Sequence, residues 1–167
     1  MTRKLFFSTA FAAVFGTLVF GLTTVSAQTD DESAVVAVIR QNATAFAAND
    51  VATMDKIWAD SEDVIVFESG YADHGWKKYR DHHLVPEMKE FSNTKYEYTD
   101  IKAKVSGGLA YATMKYSLSA DVKNRRVESA GLATAVLEKR GGGWKIVHFH
   151  TSAPRRAPQP AQPAPKN

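Results

Sequence analysis

The sequence predicts an α+β domain in which three N-terminal helices pack on a strongly bent, mostly antiparallel sheet. Helical apolar periodicity is confined to the first half of the folded segment, whereas four long β-type segments follow one another in the second half. In the first of those four segments the apolar alternation changes phase, which predicts a bulge and therefore a bend in the sheet.

Two helices are predicted at the start of the domain. Within residues 30–49, apolar side chains recur at three- and four-residue spacings behind the possible cap residues Thr29 and Asp30, which is typical of an amphipathic helix. Asn49-Asp50 interrupts this pattern. Residues 51–59 then predict a second, short helix with one apolar side.

A short strand and a third helix follow. The β-branched run over residues 64–67 predicts a strand that ends at Ser69-Gly70. Residues 71–75 are expected to form a loop. A helix is predicted over residues 76 to about 84, and Pro86 is expected to kink or restart it, because proline cannot donate the helical hydrogen bond.

The second half of the domain predicts four strands joined by short turns. The phase of apolar positions switches after Tyr98 and resumes at Ile101, which places a bulge near Thr99-Asp100. The third strand carries apolar or small side chains on both faces, which predicts cover on both sides, and a second subunit is the simplest second cover. The strands are predicted at about residues 94–106, 109–121, 126–139 and 144–151, with turns at Gly107-Gly108, Lys123-Asn124 and Gly141-Gly142-Gly143.

Composition excludes several classes of function. The 167 residues suit a single globular domain, and the absence of cysteine excludes disulfides, thiol catalysis and a lipid-modified cysteine. The formal charge of +3 arises from five basic residues near the two termini. Without those five, 16 basic residues stand against 18 acidic ones over residues 28–152, a net charge of −2. A nucleic-acid-binding surface is therefore not expected.

The two ends of the chain predict export and a flexible tail. Residues 1–27 combine Arg3-Lys4, an apolar run and Val25-Ser26-Ala27, which is the order of a secretory signal peptide cleaved after Ala27. The domain is then periplasmic or secreted and leaves the membrane once the signal is removed; an uncleaved membrane anchor is the alternative. Residues 153–167 predict a disordered, proline-rich tail.

Local motifs resemble SnoaL-like domains of the nuclear transport factor two-like superfamily. The motifs are Phe67 to Trp76 with Tyr79 to Leu84, which resemble the strand–loop–helix of these domains, and Gly143 to Ser152, which resembles their closing strand. The resemblance covers about residues 32–152, within a domain predicted at residues 28–152. It implies a cone-shaped fold with a conical pocket between the concave sheet face and the helices, and dimerisation through the convex face. It does not specify a reaction, since folds of this kind host many functions.

Candidate site residues follow from strand parity and helical spacing. His148 and His150 alternate with Phe149 and are expected to share the face of Trp144 and Ile146, inside the pocket. Helical spacing predicts that His83 points inward. These three histidines are the candidate proton-transfer residues, because imidazole titrates near neutral pH. The further pocket candidates, as orienting acids, hydrogen-bond donors or wall residues, are Glu68, Tyr71, Asp73, His74, Trp76, Tyr79 and Glu87.

Three classes of function remain open from the sequence. The preferred hypothesis is an exported homodimeric domain that binds a small apolar or aromatic molecule without a cofactor, with catalysis of the isomerase, dehydratase or hydrolase type left undecided. The first alternative is a copper or zinc protein, because imidazole ligates both metals. The second is a non-catalytic dimeric assembly module. The metal alternative would use His74, His83, His148 and His150.

Overall fold

The computed structural model describes residues 20–154 as helices packed on the concave face of one curved six-stranded sheet. The strand order is β2-β1-β6-β5-β4-β3, and within it β1 and β6 are parallel while the other neighbours are antiparallel. This confirms the predicted fold class. The elements are α1 (Phe20–Ala47), α2 (Val51–Ile57), β1 (Ile65–Glu68), β2 (Tyr71–His74), α3 (Trp76–Tyr79), a π-helical turn (Arg80–Leu84), α4 (Val85–Glu90), β3 (Phe91–Ser106), β4 (Leu109–Val122), β5 (Arg125–Arg140) and β6 (Gly143–Ser152).

The predicted loop over residues 71–75 is wrong, because most of it forms strand β2. Strands β1 and β2 make a hairpin in which Val66 lies opposite Asp73 and Glu68 lies opposite Tyr71. The connection consists of Ser69 and Gly70, both with positive φ (52° and 86°). Two consecutive left-handed residues suit a tight two-residue hairpin, and glycine adopts that conformation without steric cost.

The third helix widens before Pro86 instead of kinking at it. The backbone N–H of Val85 donates to the carbonyl of Arg80, an i→i−5 bond that closes a π-helical turn. Pro86 then lies in the first turn of α4, where its missing N–H leaves no helical bond unmade. The wide turn contains His83, so it decides which way that side chain points.

Irregular pairing bends the sheet at several points. The register shift between Thr99 and Lys102, with Asp100 at φ 53°, confirms the predicted bulge in β3. A second irregularity separates β5 and β6: Val136 pairs with His148, and the next residue of β5 pairs with Ile146. Val147 is therefore an extra residue, and the inside–outside alternation of β6 reverses beyond it.

The two predicted terminal segments lie mostly outside the described residues. The description starts within the last part of the predicted signal peptide, where residues 20–27 form the beginning of α1, and it ends at Pro154. Signal cleavage and a disordered tail stay predictions. Among the described helices, none combines the length and the apolar character needed to span a membrane.

Candidate active site

A cavity of 220 Å³ lies between the helices and the concave face of the sheet. Aromatic side chains make up much of its surface, and the carboxyl groups of Glu68 and Glu87 enter it from one side. Neither lysine nor arginine is among the described residues that line it. The lining aromatic residues are Phe46, Trp58, Tyr79, Tyr96, Tyr98, Tyr116 and Phe149.

Two carboxyl groups and an imidazole meet at the acidic side of the cavity. Glu68 ends strand β1, His83 lies in the π-helical turn and Glu87 follows in α4, so three neighbouring elements each supply one group. One oxygen or nitrogen atom from each of the three lies within 4.8 Å of the others. The buried hydroxyl of Tyr79 also reaches Glu68, with an O···O distance of 3.5 Å.

Asp73 holds the imidazole of His83 in one orientation. Its carboxylate oxygen Oδ2 lies 2.7 Å from Nδ1 of His83, a distance at which Nδ1–H donates a short, charge-assisted hydrogen bond. The hairpin makes this possible, because Asp73 lies opposite the buried Val66 and therefore faces the helices. The other ring nitrogen, Nε2, is left 3.8 Å from Oε2 of Glu68.

The pKa values of Glu68, His83 and Glu87 all differ from their ordinary values. Burial raises the pKa of Glu87 to about 7, and the nearby charge of Glu68 adds to the effect. Burial also raises the pKa of Glu68, although the neighbouring His83 opposes the shift. Burial alone would lower the pKa of His83, but its hydrogen bond to Asp73 and the charge of Glu68 outweigh burial and raise it. Glu87 therefore retains a proton close to neutral pH.

A buried hydrogen-bond chain occupies another part of the cavity wall. Trp58 donates from Nε1 to Oδ1 of Asn42 at 2.9 Å, and Nδ2 of Asn42 donates to the hydroxyl of Tyr98 at 3.2 Å. Tyr98 donates in turn to the hydroxyl of Tyr96 at 3.1 Å. Burial raises the pKa of both tyrosines, so both remain neutral hydroxyl donors at ordinary pH.

Comparison with known proteins assigns the family. The family model described as "SnoaL-like domain" matches residues 35–156. The chain belongs to the SnoaL-like family. No curated protein sequence matches it significantly.

Solved structures with the same fold include proteins of different described activity. A nuclear transport factor 2 superfamily protein from Salmonella enterica serovar Typhimurium has a TM-score of 0.69 and 18% identity, with 80% of this chain and 94% of that chain covered. A putative ketosteroid isomerase from Shewanella frigidimarina has a TM-score of 0.60 and 24% identity, with 69% and 91% covered. A putative dehydratase from Streptomyces avermitilis has a TM-score of 0.68 and 19% identity, with 75% and 96% covered. At these identities the likeness establishes the fold of the SnoaL-like domain alone.

The expected position of His148 and His150 in the SnoaL-like cavity is wrong. Trp144 and Ile146 are buried in the core as expected, but the extra residue Val147 reverses the alternation. Phe149 consequently lines the cavity, together with Thr151. His148 lies on the outer face, where its Nδ1 is 2.9 Å from the carbonyl of Ile65, and His150 is exposed on the same face.

The four histidines of the predicted metal alternative are not brought together. His74 and His148 both flank Ile65 in neighbouring strands, on the outer face of the sheet, and Phe67 contacts His148 and His150 edge-on. His83 lies across the sheet, on the helical side. In the described part of the SnoaL-like domain, the one cluster with metal-binding geometry is Glu68, His83 and Glu87.

The remaining predicted pocket residues divide into two groups. Glu68, Asp73, Tyr79, His83 and Glu87 come together around the acidic side of the cavity. Trp76 is fully buried but lies behind the cavity, stacked on Trp58 with ring centroids 4.8 Å apart, and its indole donates to Asp55. Tyr71 is 72% exposed and does not line the cavity.

Sequence reasoning missed the aromatic wall and its buried amide. Tyr96 and Tyr98 share one face of β3, and in β4 they lie opposite Leu118 and Tyr116, which also line the cavity. Asn42 lies three residues after Ile39 on the apolar stripe of α1, and it is 4% exposed. A polar residue in such a stripe is a signal that was available in the sequence, because buried amides require specific hydrogen-bond partners.

Proposed function

We propose that this SnoaL-like domain is an acid–base enzyme that moves a proton on a small, neutral molecule, as in an isomerisation or a dehydration. The observation that carries the proposal is the pair of carboxyl groups, Glu68 and Glu87, that face one aromatic cavity with a carboxylate-oriented imidazole beside them. The names of two structural neighbours, a putative ketosteroid isomerase and a putative dehydratase, describe reactions of this type.

The two carboxyl groups take different roles because their surroundings differ. Glu68 is the proposed base, since His83 and Tyr79 stabilise its ionised form while burial raises its pKa and strengthens it as a base. Glu87 has neither a hydrogen bond nor an ion pair with another described residue and keeps its proton to about pH 7, so it is the proposed acid. Pairs of carboxyl groups with separated pKa values are a recurrent basis for acid–base catalysis.

In this proposal His83 is a positioning residue. Asp73 fixes the ring through Nδ1, which aims Nε2 at Glu68. An imidazolium in that position favours the carboxylate form of Glu68, and loss of the imidazole would raise the pKa of Glu68 further. This modifies the sequence-based hypothesis, in which histidine itself exchanged the proton.

Proton exchange provides the test, because it requires no knowledge of the physiological substrate. The full chain is incubated in D₂O with 3-cyclohexenone and with 3-hydroxycyclohexanone, and NMR follows deuterium incorporation next to the carbonyl and formation of the conjugated enone. We expect Glu68→Gln to lower the catalysed rate about 10²–10⁴-fold relative to wild type. Glu90→Gln, an exposed acid in the same region, is the matched control and should retain that rate.

The pH profile distinguishes this mechanism from one in which histidine is the base. The rate should be highest in mildly acidic solution, above the pKa of Glu68 and below that of Glu87 at about 7. The His83→Gln variant should move the acidic limb of the profile to higher pH, because loss of the imidazole raises the pKa of Glu68. His82→Gln, which changes an exposed neighbour, should not move it. Catalysis that is unaffected by Glu68→Gln, or that increases steadily above pH 7, would contradict the proposal.

A divalent metal site is a second candidate function, favoured by the spacing of Glu68, His83 and Glu87. Imidazole and carboxylate oxygen are suitable ligands for zinc, and metal-bound histidines commonly donate their other ring nitrogen to a carboxylate, as His83 does to Asp73. Elemental analysis of untagged protein tests this. Stoichiometric zinc or copper that disappears in Glu87→Gln would favour the metal site over the acid–base pair.

We also propose that two copies associate through the outer sheet face. Large apolar side chains are exposed there: Leu132 is 61% exposed, Leu109 and Tyr111 are 51% each, and Phe67 is 41%. Such exposure on one face is typical of an interaction surface. Sedimentation should show dimers that Leu132→Glu dissociates and Thr44→Glu, on exposed helix surface, leaves intact. Monomers at micromolar concentration would contradict this.

Export remains a proposal supported by the order of residues 1–27, in which a cationic end, an apolar run and Val25-Ser26-Ala27 follow one another. Expression of the full chain in a bacterium with a periplasm provides the test. Mass spectrometry should find a periplasmic protein that begins at Gln28. A protein that keeps residues 1–27 and stays with the membrane fraction would indicate an anchor instead.

A further inference from the structure

The hydrogen-bond chain from Trp58 to Tyr96 has a fixed direction. The indole N–H of Trp58 can only donate, so it requires the oxygen of the Asn42 side chain and turns the amide nitrogen toward Tyr98. Tyr98 accepts that hydrogen bond, and its own hydroxyl donates a hydrogen bond to the oxygen of Tyr96. Tyr96 is the last member of the chain.

The hydroxyl hydrogen of Tyr96 has no acceptor among the described residues. Tyr96 accepts from Tyr98, and no hydrogen bond in which Tyr96 is the donor is formed within residues 20–154. The ring of Tyr96 lines the cavity between Phe46, at a centroid distance of 4.8 Å, and Tyr116, at 6.1 Å. A hydroxyl that already accepts a hydrogen bond is a stronger donor to its next partner.

The composition of the cavity restricts the group that Tyr96 meets. Glu68 and Glu87 supply the cavity with acidic groups, and no lysine or arginine lines its described surface to compensate a ligand anion. A carboxylate or phosphate would therefore be buried beside the Glu68 carboxylate with no lysine or arginine in the lining to compensate it, which is unfavourable. A neutral acceptor oxygen, such as a ketone carbonyl, meets no such penalty.

The size of the cavity restricts the rest of the molecule. An apolar cavity of about 150 Å³ accommodates benzene, so the 220 Å³ available here accommodates one substituted ring. Rings of Phe46, Tyr116 and Phe149 around the space favour a flat or cyclic skeleton.

From these observations we infer that the cavity selects a neutral one-ring compound whose carbonyl oxygen accepts a hydrogen bond from Tyr96. Tyr96 is then the specificity-determining residue, and Asn42 and Tyr98 are positioning residues that direct its donor. The inference deepens the proposed function and rests on it in one respect, that the cavity is a ligand site. It makes no use of the proton transfer assigned to Glu68 and Glu87.

Three probes of similar size test the inference: acetophenone has the carbonyl acceptor, ethylbenzene has the same carbon skeleton without oxygen, and benzoate carries an anion. They are titrated into the ¹⁵N-labelled full chain at neutral pH, and the indole N–H signals of its three tryptophans are followed. Trp58 lies at the cavity and should shift. Trp144, whose indole binds Asp31 outside the cavity lining, is the internal control and should not.

We expect acetophenone to bind more tightly than ethylbenzene, and benzoate to bind most weakly. Tyr96→Phe should weaken the binding of acetophenone about five- to tenfold, which is the usual contribution of one hydrogen bond. The same variant should change the affinity for ethylbenzene by less than about twofold. Tyr98→Phe should weaken acetophenone by a smaller factor. Tyr111→Phe, on the outer face, is the matched control and should have no effect.

The possible failures are distinguishable. If Trp58 responds to none of the probes, the cavity is not a ligand site, and the inference fails together with the proposed function. If acetophenone and ethylbenzene bind equally well, or if Tyr96→Phe weakens both alike, the inference alone is overturned. Tighter binding of benzoate than of acetophenone would also overturn it.

Discussion

Replacing Glu87 by glutamine should make the folded protein less sensitive to alkaline pH. Burial and the charge of Glu68 raise the pKa of Glu87 from an ordinary value of 4.5 to about 7, so the folded state holds this proton more tightly than the unfolded chain does. Between these two values, the unfolded chain loses the proton first. Wild-type stability therefore decreases as pH rises from about 4.5 to 7, and the loss is complete above pH 7.

The size of the effect follows from the same two values. At about 1.4 kcal/mol for each tenfold change in proton affinity, the difference between 4.5 and 7 gives an upper limit of about 3.5 kcal/mol. Glu87 is partly exposed, which reduces the expected loss to about 1–3 kcal/mol. The amide of Glu87→Gln has nearly the same shape as the protonated acid, so the variant retains the packing. It lacks the free-energy cost of ionising a buried carboxyl group at high pH.

Urea unfolding at pH 5 and pH 9 provides the measurement. At pH 5 the two proteins should have free energies of unfolding within about 1 kcal/mol of each other, and at pH 9 the variant should gain about 1–3 kcal/mol relative to wild type. Glu97→Gln, an exposed acid in β3 that does not contribute to the shifted pKa of Glu87, should show no such pH-dependent gain. A difference between wild type and Glu87→Gln that is the same at both pH values would refute the assignment of a shifted proton to Glu87.

Three further predictions concern packing and hydrogen bonding. Phe149→Ala should lower the free energy of unfolding by about 3–5 kcal/mol, because the ring is only 6% exposed. His150→Ala, at an exposed position, should lower it by less than about 0.5 kcal/mol. Equal effects of the two variants in urea unfolding would show that the assigned orientation of β6 is wrong. Asn42→Ala should lower the free energy of unfolding by about 2–4 kcal/mol, because it leaves the buried Trp58 indole N–H without an acceptor and removes the donor to Tyr98. A thermal unfolding midpoint equal to that of wild type would contradict this. Gly131→Ala should destabilise by at least about 1–3 kcal/mol, because the new Cβ would meet the backbone oxygen of Ser152 at 2.0 Å, while Gly143→Ala, which meets nothing, is the control and should be nearly neutral in the same thermal unfolding assay.

Part of the candidate site was predictable because it is local in the sequence. Glu68, Asp73, His83 and Glu87 lie within twenty residues, on a hairpin and the helix that follows it. A two-residue turn places Asp73 beside β1, and helical spacing places His83 and Glu87 on one side. Short connections leave such segments few ways to be arranged, so the residue types could be read as a potential acid–base cluster from the sequence.

The orientation of β6 was not predictable in the same way. Alternation predicts that residues 144, 146, 148 and 150 share a face, and it fails because one extra residue, Val147, is accommodated opposite β5. A bulge of this kind depends on the partner strand, and the side-chain pattern of β6 alone does not reveal it. Alternation alone therefore places the two histidines in the cavity and Phe149 on the outside.

The sequence by itself determined the fold class, the helices and strands other than β2, the SnoaL-like resemblance and the bend at Asp100, because each of these depends on short-range periodicity, turn residues or local motifs. Only the tertiary structure decided which side chains enclose the cavity. Asn42, Tyr96 and Phe149 come from one helix and two strands far apart in the chain, and they meet because the curved sheet closes over α1. Such contacts depend on strand register, which is set by pairing and packing between distant strands rather than by the residues in any one segment.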